Sequence, residues 1–182
     1  MPTVAIGGSG QKVGKTSLIC GLIAALPECP WTAVKITSHD HGLLEPVWEE
    51  TQAGHGTDTA RYLAAGARRA LLVTKRNGEI PEAELRLALG EDHWLIFESN
   101  QVQTFHEPDV ILALIAAGDT ESKPSFAAVV QRADAFVCAG SGPGLTQLDG
   151  TRPVFVLPNL HPIAPELIAW LRARLALPPA AR

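Results

Sequence analysis

The chain has 182 residues, a hydrophobic share of 46%, a charged share of 19% and a formal net charge of −4. That length predicts one domain over residues 1–182 with room for a substantial core. The acidic balance argues against a broad nucleic-acid footprint, and no apolar run approaches the roughly twenty residues of a membrane span. No charged-then-apolar leader is visible at the start, so no secretion signal is expected. The three cysteines, Cys20, Cys29 and Cys138, form no C-x-x-C pair and read as reduced thiols of a cytoplasmic protein.

The first predicted strand, Pro2–Gly7, runs into a glycine-rich turn and then an apolar helix, Ser17–Leu26. Between them stands Gly8-Ser-Gly-Gln-Lys-Val-Gly-Lys-Thr16. A strand, a glycine loop closed by Gly14-Lys15-Thr16 and a helix form the context of a phosphate-binding P-loop. Glycines let backbone N–H groups curl around phosphates, and the helix N-terminus adds donors and a positive dipole end. The expected nucleotide contacts are Gly10, Gln11, Lys12, Val13, Gly14, Lys15, Thr16 and Ser17. Lys15 is expected on the terminal phosphates, as a catalytic cation, and the Thr16 hydroxyl on Mg²⁺. Ser9 occupies the strict first-glycine position, and the loop beginning at Gly8 is one residue longer than the usual pattern. This longer loop, with Val13 before Gly-Lys-Thr, resembles the dethiobiotin synthetase branch of P-loop proteins.

The second predicted strand, Trp31–Thr37, exits through Lys35-Ile-Thr-Ser-His-Asp-His-Gly42. Lys35 is a candidate second cation for the triphosphate or a substrate anion. Asp40 is a candidate Mg²⁺ ligand and the best candidate for the water-activating base. His39 and His41 suggest a transition-metal patch, but neighbours on an extended chain point apart and no further Cys or His completes a tetrahedral set. Residues 43–56, with Pro46 and two glycines, predict a mobile loop in which Trp48 is a candidate lid.

Thr57 or Asp58 then offers an N-cap for a helix over Thr59–Ala67. Here Lys35, His39, Asp40, Gly56-Thr-Asp-Thr59, Arg61 and Ala65-Gly-Ala67 together resemble the molybdopterin-guanine dinucleotide biosynthesis protein B (MobB) family. Ser38 replaces one of that family's histidines, His41 falls after the aspartate, and the intervening loop is longer. The resemblance spans about the first hundred residues.

Further strands are predicted at Ala70–Thr74, Trp94–Glu98, Val110–Ala116, Ala135–Ala139 and Val154–Leu157. Helices are predicted at Pro81–Leu89, Phe126–Arg132 and Ala164–Leu175. Continuous apolar strands alternating with helices predict an α/β fold with a doubly wound, mostly parallel sheet of about seven strands and helices on both faces. Ligands of such sheets lie beyond the strands' carboxyl ends. Glu98, at one such end, is the expected Walker B carboxylate on Mg²⁺, although Ser99 stands where the resembling families carry glycine. Asn100 and Gln101 are candidates for a substrate contact or a turn, and Lys123 and Asp119 belong to a predicted solvated loop. The glycine-rich exit after Ala139 lacks a following apolar helix and is not a second phosphate loop. Asn159, after the last strand, is the candidate base contact.

The MobB resemblance implies Mg²⁺-dependent binding and slow hydrolysis of GTP or ATP, a homodimer, and a partner enzyme of molybdenum-cofactor maturation. No Asn-Lys-x-Asp guanine signature is present, so GTP and ATP both remain open. Two rival readings are an ATP-dependent ligase of the dethiobiotin synthetase type and a nucleotide-dependent switch or chaperone.

Overall fold

The computed structural model describes residues 2–10, 12–39, 42, 44–116, 124–140, 150–160 and 162–177. In its first half lie β1 (Thr3–Gly8), α1 (Lys15–Ala25), β2 (Thr32–Thr37), β3 (Val47–Glu49), α2 (Asp58–Ala64) and β4 (Arg69–Thr74). There follow α3 (Glu82–Leu89), β5 (Leu95–Glu98), β6 (Val110–Ala116), α4 (Pro124–Arg132), β7 (Ala135–Ala139), β8 (Val154–Leu157) and α5 (Pro165–Arg174). The seven expected strands are all present, with ends displaced by at most one residue.

One eight-stranded sheet runs in the order β3-β4-β2-β5-β1-β6-β7-β8. Every pairing is parallel except β3 with β4. β1 sits inside it, Val4 opposite Ile96 of β5 on one side and Val110 of β6 on the other. Successive strand residues feed opposite faces, as the pleat requires. Val4 and Ile6 join a core with Leu18 and Leu22 of α1, Tyr62 of α2 and Leu167 and Leu171 of α5. Ala5 joins the opposite core with Leu85 of α3 and Phe126 and Val129 of α4. Helices therefore cover both faces, and both faces of the strands are apolar for that reason.

The eighth strand corrects the expectation of a mobile loop over residues 43–56. Val47, Trp48 and Glu49 pair antiparallel with Val73, Leu72 and Leu71 at the sheet edge. Flanking backbone bonds, Thr74 N to Pro46 O at 2.8 Å and Glu50 N to Ala70 O at 2.9 Å, extend the attachment. Arg69 clamps Glu49 with Nε to Oε1 at 2.8 Å and Nη2 to Oε2 at 2.7 Å, a bidentate pair of favourable geometry. Trp48 is thus an edge-strand residue and does not line the site described below. Beyond the strand, the Glu50 carboxylate gathers Thr51 N, Gln52 N and the Thr57 hydroxyl at 3.0–3.1 Å. Thr57 in turn caps α2, its side chain accepting from Ala60 N at 3.1 Å. Among the described residues no helix is long and apolar enough to cross a membrane.

Candidate functional site

The loop between β1 and α1 lies where the carboxyl ends of β1, β2 and β5 converge. Lys12 and Gly14 adopt positive φ, 60° and 101°, which curls the chain ahead of the helix. The positive φ of Gly14 favours glycine, and a Cβ there would push aside the tip of Leu160, whose Cδ1 would lie 2.2 Å away. Val13 turns its side chain into the core, leaving its backbone as the part a ligand can meet. Lys15 Nζ donates to Gly10 O at 3.0 Å, so the ammonium spans the loop.

A cavity of about 460 Å³ opens over this loop. Among the described residues its wall carries four cationic side chains, Lys12, Lys15, Lys35 and Arg61, against two carboxylates, Asp58 and Glu98. The surplus of positive charge suits a polyanion. Thr16, Ser17 and His39 also line it. Of the residues expected from sequence, Lys12, Gly14, Lys15, Thr16, Ser17, Lys35 and Glu98 are brought together here. Gly10 is at the loop's other side, in a second cavity that shares Lys15 and Glu98. Asn159 is exposed and outside the first cavity's lining, beside the Leu160 that packs on Gly14. Gln11, Asp40, His41, Asp119, Lys123 and the glycine-rich stretch 141–144 lie outside the described residues.

Glu98 is the hub. Its side chain is only 8% exposed. Oε2 accepts the Thr16 hydroxyl at 2.7 Å and also the hydroxyl of Tyr62, while Oε1 lies 3.3 Å from Lys35 Nζ. Lys35 also pairs with Asp58, and Asp58 is met by Arg61 Nη1 at 3.5 Å. Arg61 Nη2 donates to Ser17 Oγ at 3.2 Å, tying the first turn of α2 to the first turn of α1. The sequence reading missed Tyr62, because a buried tyrosine in a helix looks like any other core aromatic. Asp58 and Arg61 carried a better signal: their i,i+3 spacing puts them on one helix face.

Electrostatics follow from this chain of contacts. Burial opposes the charge on Lys35, but Glu98 and Asp58 outweigh it and hold the ammonium pKa above its usual value. Burial likewise opposes ionised Asp58, but Lys35, Thr16 and Arg61 hold its pKa below the ordinary 3.8. Burial first, then the Glu98 charge, pushes the Tyr62 phenol well above its usual range, so it stays a donor. A group with a depressed pKa stabilises the fold above its unfolded value and loses that contribution as pH falls through the folded value. Wild type should therefore exceed Asp58→Asn by about 0.5–1 kcal/mol in urea unfolding near neutral pH. The gap should close as the pH drops below 3.8. An equal gap at both pH values would show that the carboxylate's charge contributes nothing.

Asn100 resolves as a clip on the entrance to the β1–α1 loop. Its Oδ1 accepts from Gly8 N at 2.8 Å, and its Nδ2 donates to Gly8 O at 3.1 Å and to Ser125 Oγ at 3.3 Å. Both edges of that amide are spent on structure, which holds the end of β1 against β5 and α4. Comparison of the chain with protein-family models finds none that matches, and comparison with curated proteins finds no match either.

Proposed function

We propose that the chain is a P-loop protein with a doubly wound sheet that binds a nucleoside triphosphate and hydrolyses it slowly with Mg²⁺. The observation that carries this reading is the 2.7 Å contact between the Thr16 hydroxyl and Glu98, made at the mouth of a loop spanned by Lys15. An oxygen pair of this kind, hydroxyl and carboxylate, suits Mg²⁺, which takes few protein oxygens and keeps several waters. Thr16 and Glu98 would hold the ion, which when bound neutralises charge developing on the phosphates.

The chain's own residues supply the rest. Backbone N–H groups of the loop and the α1 N-terminus receive the phosphates, Lys15 offsets their charge, and Lys35 adds a second cation beside Glu98. Asp58 and Glu98 are both committed to Lys35, and Asp58, whose pKa is held down, is a weak base. Slow turnover is the consequence, with Asp40 kept as the proposed water-activating group. By resemblance, the protein belongs with MobB-like proteins: a cytoplasmic homodimer serving a partner enzyme of molybdenum-cofactor maturation, with GTP or ATP as ligand. The ligase alternative is favoured by a separate feature, the second cavity that meets the first at Lys15 and Glu98.

Release of inorganic phosphate from GTP and from ATP, with Mg²⁺ and with EDTA, tests the reading. Expected is turnover on the order of 10⁻⁴ to 10⁻² per second with one of the two, abolished by EDTA. Identical release in EDTA would count against the Mg²⁺ site.

A further inference from the structure

The second cavity, about 260 Å³, lies beyond the carboxyl ends of β1, β2, β4 and β5. Among the described residues it shares only Lys15 and Glu98 with the first cavity, and Lys75, Ser38, Ser99, Asn100, Gln101 and Ser125 make up the rest of its polar wall. Its hydrogen-bond inventory is lopsided. Among the described residues Glu98 is its one carboxylate, and both oxygens are already taken by Thr16, Tyr62 and Lys35. Ser99 Oγ accepts from Gln101 N at 3.1 Å and Ser125 Oγ accepts from Asn100 Nδ2, so each hydroxyl keeps its hydrogen to give.

Lys75 is half-buried at the end of β4, fixed by its N–H to Thr37 O at 3.0 Å. Its ammonium meets the Gln101 amide oxygen and, among the described residues, no carboxylate. Two ammonium hydrogens and the Gln101 Nε2 therefore remain as donors. A wall with spare donors and a cation, whose carboxylate and amide oxygens are already occupied, suits oxyanion recognition.

We propose that this cavity binds a small oxyanion, a carboxylate or a phosphate group on a body of about ten non-hydrogen atoms or fewer. Lys75 is its counter-ion, and its neighbour across Lys15 and Glu98 is the triphosphate. The proposal deepens the nucleotide reading by giving that site a second ligand, and it rests on that reading only for the identity of the neighbour.

The test is calorimetric titration of the full chain with sodium malonate and, separately, sodium phosphate at constant ionic strength. Each is run on the protein alone and on protein saturated with a non-hydrolysable Mg-triphosphate analogue. At least one probe is expected to bind in both states, and the preferred arm tells carboxylate from phosphate. Lys75→Met is expected to weaken that probe about tenfold or more while leaving the triphosphate analogue within about twofold. Lys75→Arg should restore most of the loss, and Ser125→Ala should weaken the probe about threefold. Three results overturn the proposal: neither probe binds, Lys75→Met binds the probe as wild type does, or the analogue excludes both probes. The last would make the cavity merely the seat of the terminal phosphate. Should the analogue fail to bind while the oxyanion binds in a Lys75-dependent way, the nucleotide reading falls and the oxyanion site stands.

Discussion

Lys15→Ala is expected to weaken Mg-triphosphate binding by about 100-fold, equivalent to about 3 kcal/mol. The side chain leaves the first residue of α1 and reaches back across the loop to Gly10 O, so its charge sits inside the curve that is proposed to hold the phosphates. A charge-assisted bond to a phosphate oxygen is roughly twice as strong as a neutral one, and in the proposed complex several loop donors would converge on the same group. Alanine is the best helix former, and Lys15 is only half-buried, so the fold should survive the change. An unfolding midpoint close to wild type, measured alongside, separates lost binding from lost structure. Wild-type affinity in the variant would remove the phosphate-loop argument.

Glu98→Gln is the second large effect. It keeps the shape of the side chain and removes the charge around which Thr16, Tyr62 and Lys35 are arranged. The gain in triphosphate affinity on adding Mg²⁺ should fall by about tenfold or more, with little change in the affinity measured in EDTA. Folding stability should also drop, by about 1–3 kcal/mol, since Lys35 keeps, among the described residues, only Asp58 as a charged partner and two hydroxyls lose an anionic acceptor. Tyr62→Phe should move the Mg²⁺ dependence in the same direction by less, because the carboxylate keeps its charge and loses one donor. A Glu98→Gln protein with the wild-type response to Mg²⁺ would refute the assignment of this carboxylate to the metal.

Much of the architecture was legible in the chain because strands buried on both faces leave continuous apolar runs. Val4-Ala5-Ile6 and Leu112-Ala113-Leu114 are such runs, and each alternates between the two cores. The loop between β1 and α1 was legible because glycines punctuate the chain between an apolar strand and an apolar helix. Lys35 and Glu98 were legible as charges at the ends of apolar strands, where an unpaired carboxylate or ammonium is costly. What escaped has physical reasons. β3 is three residues long, follows a proline and sits at an edge, so it carries neither a run nor an alternation to detect. Tyr62 reaches Glu98 across 36 positions of sequence, and nothing local distinguishes it from a packing residue. Asn100 is bound to Gly8 for the same kind of reason: the parallel pairing of β1 with β5 makes them neighbours, and that pairing is a tertiary fact.

The most direct test of the central claim is calorimetric titration of the purified protein with GTP and with ATP, each in Mg²⁺ and in EDTA. The account predicts one-to-one binding of at least one triphosphate, tighter in Mg²⁺. Preference for GTP directs attention to molybdenum-cofactor enzymes, and preference for ATP to the ligase alternative with small acids and amines as acceptors. No heat of binding from either nucleotide, in Mg²⁺ and at millimolar concentration, would contradict it.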